Sequence, residues 1–399
     1  MKLLDTKTKN AVLQSMIDHL DKDRALIIAA NKKDLDTFSG EDQALYDRLI
    51  VDNAKVDDMI RAVKQVKGQE DPVGRIISDD TLENGLKITN KTAPFGTIMI
   101  IYESRPDVTI EAAVLAFKAN NKILLKGGKE AHNSNEELVK CWHKSLEENG
   151  LEKDWIQYLK MDRPTTQEFL RKPDQALDLI VPRGGERLIN FVKEHAKCAV
   201  LISGRGNNFV YVAPDADPKK AIDVIVNAKT DKISACNALD KILIDENHPQ
   251  FVETAKSIAS ALQKKDVEVM ANKNIAAGLE NAGIIENQDV WFEEFLARKA
   301  AIGSIDGLDN AIETINLYSG GHSNIILTEE NEKAQKFMEQ VDSAAVYHNA
   351  SSRFTDGGQM GVGAELAIST DKLHHRGPLG LKQLVTNKYH VLGNGQIRK

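Results

Sequence analysis

The run Ser234-Ala235-Cys236-Asn237-Ala238-Leu239 sets a single thiol among small residues. A thiolate is the side chain best suited to take up an acyl group and then release it. Two basic Gly-Gly junctions, Lys126-Gly127-Gly128 and Arg183-Gly184-Gly185, suit a different task. Glycines let a phosphate approach the backbone, and a helix opening there adds free N–H groups and a positive dipole end. Arg105, Arg353 and Arg376 supply planar guanidinium forks of the kind that hold a carboxylate. Each feature also has a plain structural reading. Free cysteines are among the most buried residues, Gly-Gly makes a tight turn unaided, and most arginines are simply solvated. His374 and His375 are adjacent and cannot share one helical or strand face, and no thiol or carboxylate stands at metal spacing, so no metal site is expected.

The elements that would position these groups alternate between short apolar runs and amphipathic helices. Strands are predicted at 97–102, 122–126, 178–182, 199–202, 209–212, 241–244, 324–327 and 345–347. Helices are predicted at 110–119, 134–146, 186–196, 218–228, 251–262 and 308–317. The segment before Thr81 reads mostly as helix. Such alternation implies largely parallel sheets covered by helices on both faces. Both basic Gly-Gly pairs then fall on strand-to-helix turns, and Cys236 falls on a loop between a helix ending near Lys229 and the strand beginning at Lys241. A G-x-G-x-x-G fingerprint opening a helix is absent, and Gly204-Arg205-Gly206 leads into a strand, so a nicotinamide site would be of another kind. Residues 355–365 are too glycine-rich for an element and read as a loop. The polar, alternating 84–92 resembles an exposed hairpin arm, and 384–397 has similar composition. Edges of that sort need a partner, which points to an oligomer.

Bulk properties narrow the class. A chain of 399 residues exceeds one ordinary core, and 42% hydrophobic with 28% charged residues fits a globular protein. The net charge of −7, with signs interspersed, gives no footprint for nucleic acid or anionic membrane. The cysteines Cys141, Cys198 and Cys236 are odd in number and far apart, which argues for a reducing compartment and a cytoplasmic location. No apolar run approaches the ~20 residues that span a bilayer, and the N-terminus carries no signal-peptide pattern.

Five stretches taken together, IYESRPDVTIEAA (101–113), LLKGGKEA (124–131), VPRGGERLI (181–189), VNAKTDKISACNAL (226–239) and HNASSRFTDGGQMGVGAELAIST with KLHHRGPLGL (348–381), resemble the γ-glutamyl phosphate reductase family, a branch of the aldehyde dehydrogenase superfamily. The resemblance spans essentially the whole chain. It implies an α/β, aldehyde-dehydrogenase-like fold with two Rossmann-like domains and a small β oligomerisation flap. Residues 1–230, completed by about 350–383, would bind NADP; 231–349 would carry the thiol; 84–93 with 384–399 would form the flap. Cys236 would be the nucleophile, with its backbone N–H and the Ser104 hydroxyl as oxyanion donors. Lys126, Arg183, Gly184, Gly185 and Glu294 would hold the cofactor, with Lys126 on the adenosine ribose, the Gly184-Gly185 turn on the pyrophosphate and Glu294 on the nicotinamide ribose. Arg105, then Arg353, are the candidates for the substrate carboxylate.

The implied reaction is NADPH-dependent reduction of L-glutamyl 5-phosphate to L-glutamate 5-semialdehyde through a cysteine thioester, the second step of proline biosynthesis. A homo-oligomer is implied, and the glutamate 5-kinase that makes the labile substrate is the partner such a step raises. A free thiol is only about a tenth ionised at roughly pH 7.5, so Cys236 needs help, for which Lys229 and Lys232 are candidates. Ile202 and Ser203 stand where hydrolytic relatives carry the glutamate that activates water. An isoleucine takes no proton, whereas a phosphorylating enzyme uses an anionic nucleophile in the oxidative direction. A second departure, His375 in place of a small residue, lies in a loop. The alternatives are a hydrolytic aldehyde dehydrogenase of the same fold, a non-catalytic relative, and a thiol hydrolase, for which no histidine base can be assigned.

Overall fold

A computed structural model describes residues 2–40 and 43–398, and the chain divides into two compact units. The first comprises 1–202, 361–367 and 378–399, the second 203–360 and 368–377. Residues 203–230, expected in the first domain, thus pack in the second, as do 350–360 and 368–377 from the returning tail. Met1 and Lys399, at the ends of the expected spans, lie outside the described residues.

In the first unit the chain opens with helices Thr6–Lys22, Arg24–Thr37, Gln43–Leu49 and Asn53–Gly68, then forms β1 (Ile76–Thr81), β2 (Lys87–Pro94), β3 (Thr97–Tyr102), β4 (Lys122–Lys126), β5 (Ile156–Tyr158), β6 (Leu179–Arg183) and β7 (Ala199–Val200). Five of these build a parallel sheet in the order β5-β4-β3-β6-β7. Its strands are near-continuous apolar runs because both faces are covered. Along β3, Ile98, Ile100 and Tyr102 enter one core while Met99 and Ile101 enter the other, the two-residue period of a strand.

The second unit holds β8 (Asn208–Val212), β9 (Leu239–Asp245), β10 (Glu268–Ala271), β11 (Gly283–Ile284), β12 (Lys299–Ile305), β13 (Ser323–Leu327) and β14 (Ala345–His348) in a parallel sheet ordered β11-β10-β12-β9-β8-β13-β14. The same split recurs on β8, with Val210 and Val212 in one cluster and Phe209 and Tyr211 in the other. Because β8 pairs with both β9 and β13, residues 203–230 belong with this sheet. Two further strands, β15 (Glu365–Ser369) and β16 (Gly377–Gly380), pair with each other.

The last strand, β17 (Val385–Leu392), completes an antiparallel sheet with β1 and β2. Its register runs from Val385 opposite Pro94 to Leu392 opposite Lys87. All of β1 and most of β17 are exposed, with Ile76, Ile77, Tyr389, Val391 and Leu392 among the large apolar side chains facing solvent. Among the described residues no helix is long and apolar enough to cross a membrane, and no group of three metal-binding side chains is present.

Candidate active site

In the first unit, Ser104, Arg105, Lys126, Arg183, Gly184 and Gly185 all lie at or just beyond the carboxyl ends of β3, β4 and β6. The sheet order sends β4 and β5 to one side of β3 and β6 and β7 to the other, so the topological switch point, where open α/β sheets bind ligands, falls between β3 and β6. Lys126 ends β4, donates to the Gly127 carbonyl at 3.0 Å, and has its ammonium held below the usual lysine range by burial. It borders a cleft of about 840 Å3 that Lys129, His132, Tyr158, Arg163 and Arg187 also line. A basic cleft of that volume at a switch point fits a phosphate-bearing nucleotide.

Gly127 lets the wall close: a Cβ there would sit 2.3 Å from Asn135 Nδ2 and 3.1 Å from the Tyr102 ring. At the other junction a carboxylate already occupies the turn. Gly185 N–H donates to Glu103 Oε1 at 3.2 Å, and a Cβ on Gly184 would meet Glu103 Cδ at 2.7 Å. An anion taking the start of the helix Glu186–His195 has to displace that side chain.

Ser104 is buried, and its hydroxyl donates to Glu130 Oε2 at 3.0 Å. Arg105 is one corner of an ion cluster: its Nη2 reaches Asp107 Oδ2 at 2.9 Å, and Lys55 reaches the same oxygen at 2.9 Å. Burial works against both charges, but the pairing prevails, so Arg105 sits above its ordinary range and Asp107 below. Glu111 nearby is pushed up by burial and by Asp107. The Arg105 side chain keeps 36% of its surface exposed while Nη2 is engaged by Asp107.

In the second unit, Cys236, Glu294 and Arg353 come together around the residues that precede β8. The helix Pro218–Thr230 starts where Asp217 accepts from Lys220 N–H and Pro218 fixes the first turn. It ends before a loop whose turns are closed by Ala235 N–H on Lys232 O (3.1 Å) and Ala238 N–H on Ala235 O (2.9 Å). Cys236 stands half-exposed on this loop, at the amino edge of β9. Its carbonyl accepts from Asn208 Nδ2 at 2.9 Å, and the same amide reaches Gly206 O at 2.9 Å and Ala238 O at 2.7 Å.

Gly206 connects this loop to Glu294. A Cβ on it would lie 1.9 Å from Cys236 O, and its N–H donates to Glu294 Oε1 at 2.9 Å. Burial pushes the Glu294 carboxyl up, against the pull of that N–H. Arg353 Nε donates to Asp231 Oδ2 at 3.0 Å and its Nη1 to Asn237 Oδ1, so its fork is spent on residues flanking Cys236. Ser352 Oγ donates to Asn237 O at 2.7 Å, and Asn237 Nδ2 donates to Thr355 O at 2.8 Å. Lys229 is fully buried on Asp240 at 2.7 Å, and Lys232 is exposed.

Gly206, Asn208, Asp240 and Lys241 do not stand out in the sequence as site residues. The available signals are an Asn-Asn pair at the start of a strand and the adjacent charges Asp240 and Lys241 in the buried strand β9. What these two sites offer chemically is a half-exposed cysteine on a tethered loop in one unit and a basic nucleotide-sized cleft in the other.

The aldehyde dehydrogenase family model matches residues 1–278. Among curated proteins, a γ-glutamyl phosphate reductase of Clostridium botulinum is 41% identical over 98% of this chain and 95% of its own length. A crystal structure of γ-glutamyl phosphate reductase from Thermotoga maritima is 40% identical, covers 99% of this chain and 95% of that one, and superposes with a TM-score of 0.95. An acetylating aldehyde dehydrogenase from Geobacillus thermoglucosidasius, at 18% identity and a TM-score of 0.69, shares the fold.

Proposed function

Since this chain belongs to the aldehyde dehydrogenase family, in its γ-glutamyl phosphate reductase branch, we propose that it reduces L-glutamyl 5-phosphate to L-glutamate 5-semialdehyde and phosphate with NADPH, through a thioester on Cys236. It is an oxidoreductase of proline biosynthesis that acts on a small molecule with a nicotinamide cofactor. In the proposed sequence the Cys236 thiolate attacks the acyl carbon, phosphate leaves, and the acyl group stays on sulfur. NADPH, when bound, supplies the hydride that reduces the acyl group. The resulting thiohemiacetal collapses to free aldehyde and expels the Cys236 thiolate. Lys126, Arg183, Gly184, Gly185 and Glu294 would hold the cofactor. Backbone N–H of Cys236 and the Ser104 hydroxyl would stabilise the oxyanion, a role in which losing one donor typically lowers the rate ~10²–10³-fold. For Ser104 this requires its proton to turn from Glu130. Arg105 would bind the substrate carboxylate with the N–H groups that Asp107 does not engage. Arg353 would then act on the loop, through Asp231 and Asn237, as much as on the substrate.

The observation that carries this reading is the anchoring of the nucleophile's peptide. Asn208 donates to the Cys236 carbonyl, Gly206 packs directly against it, Arg353 and Ser352 fix Asn237, and Cys236 is half-exposed. Inert packing cysteines are buried, as Cys141 is, where burial pushes the thiol up to about 12. Ile202 removes the water-activating base of a hydrolytic enzyme. We further propose a cytoplasmic homo-oligomer joined through the sheet β1-β2-β17, with the glutamate 5-kinase as a partner in substrate delivery. The discriminating assay is oxidation of the semialdehyde by NADP⁺. Turnover is expected only with added phosphate or arsenate, and turnover without either would overturn the assignment in favour of a hydrolytic enzyme. No turnover under any condition would favour a non-catalytic relative.

A further inference from the structure

Strand β9 is wholly buried, yet it carries Asp240 and Lys241 side by side, and Lys229 is buried against it. Two lysines and one aspartate make an unbalanced set in an apolar setting, where an ion pair often stabilises less than apolar residues of the same volume would. All three reach the segment carrying Glu294. Asp240 Oδ1 accepts from Lys229 Nζ at 2.7 Å, and its other oxygen accepts from Phe295 N–H at 2.8 Å. Lys241 Nζ donates to the Glu293 carbonyl at 2.7 Å while lying 3.5 Å from the centroid of the Phe295 ring. The residues on either side of Glu294 are therefore each gripped by a β9 side chain, and Glu294 itself is oriented by Gly206 N–H. Arg205 Nη1 grips the same segment from another side, at Phe292 O, 3.0 Å away.

We propose that Lys241, with Asp240, is a positioning residue that clamps the 293–295 segment so that the Glu294 carboxylate is presented to the cofactor. The proposal rests on the reading that Glu294 binds the nicotinamide ribose. A clamp explains why polar groups are kept where apolar packing would serve the fold: the gain is placement of one carboxylate rather than stability.

The test compares NADPH dissociation constants, by fluorescence, for the full-length wild type, K241M, K241R, E294Q and the double variant K241M/E294Q. K241M replaces a buried amine by an apolar chain of similar length, and its melting temperature is expected to hold or rise. Its NADPH affinity is expected to fall about tenfold, with the change in KM for NADPH exceeding any change in kcat. K241R keeps a donor and is expected within threefold of wild type. In the E294Q background K241M should cause no further loss, which a general structural weakening would not produce. Weak binding by E294Q with wild-type binding by K241M would overturn the clamp alone, as would a K241R variant as weak as K241M. Wild-type binding by E294Q would overturn the role of Glu294 and the clamp with it.

Discussion

Gly206→Ala perturbs the Cys236 loop without changing the identity of any proposed functional residue. An alanine Cβ would fall 1.9 Å from Cys236 O, 2.5 Å from its carbonyl carbon and 2.6 Å from its Cα. Ordinary contact begins near 3.4 Å, and all three obstructing atoms are backbone, so no side chain can swing aside. Raising the shortest contact from 1.9 to 3.4 Å requires a relative shift of 1.5 Å. Gly206 is not among the glycines with positive φ, so the effect is steric and not a matter of backbone strain. Misplacing a reacting group by ~1 Å can lower the rate ~10²-fold, and overpacking typically costs about 1–3 kcal/mol. The expected outcome is a folded enzyme with a lower melting temperature and a kcat reduced about 10²-fold in NADPH oxidation at saturating substrate. The rate of Cys236 alkylation by iodoacetamide should change alongside it. A G206A enzyme with kcat within threefold of wild type would refute the idea that this glycine sets the position of the thiol.

Gly68, the last residue of the helix Asn53–Gly68, faces open space: a Cβ added to it would meet nothing within 4 Å. Gly68→Ala should therefore stabilise by about 0.4–1 kcal/mol in chemical denaturation without altering turnover. Lys241 is fully buried and its ammonium is pushed down to about 7, chiefly by burial, from 10.5 in an unfolded chain. Between those values the unfolded state holds the extra proton, so this residue's contribution to stability rises with pH through that window. Below pH 7 the penalty is fully present, on the order of 5 kcal/mol at ~1.36 kcal/mol per pH unit. Denaturation of wild type and K241M from pH 6.5 to 10 should therefore show K241M ahead at the acid end and the difference closing towards the alkaline end. A pH-independent difference would contradict this. Tyr389→Asp combined with Leu392→Asp places one charge on each face of the exposed strand β17 and should lower the assembly mass in light scattering without unfolding the chain, whereas an unchanged mass would remove the flap from the interface.

The alternation of apolar runs and helices is enough to place β3, β4, β6, β8, β9, β13 and β14, because strands buried on both faces are written as short, bounded, β-branched stretches. The strand β5 (Ile156–Tyr158) is hidden by its length, and β12 (Lys299–Ile305) by its alanines and glycine, whose burial comes from their neighbours and not from their own hydrophobicity. Cys236 is visible as a candidate from its small neighbours between a helix and a strand, and it is the family resemblance that singles it out. Its supports are not visible. Gly206 meets Glu294 across 88 positions and Asn208 meets Cys236 across 28, and no local pattern encodes such pairings. The arginines show the same limit: the forks of Arg105 and Arg353 are visible in sequence, and only the fold shows that Asp107, Asp231 and Asn237 already engage them. The domain division moves for a related reason, since membership of residues 203–230 is decided by which strands β8 pairs with.

Intact-mass spectrometry of the enzyme quenched during turnover, followed by peptide mapping, measures the covalent step itself. With L-glutamyl 5-phosphate and no NADPH, a glutamyl adduct is expected on Cys236 alone, absent from C236S and discharged when NADPH is added. An enzyme that turns over with Cys236 unmodified throughout, or a C236S variant that retains activity, would contradict covalent catalysis at this thiol.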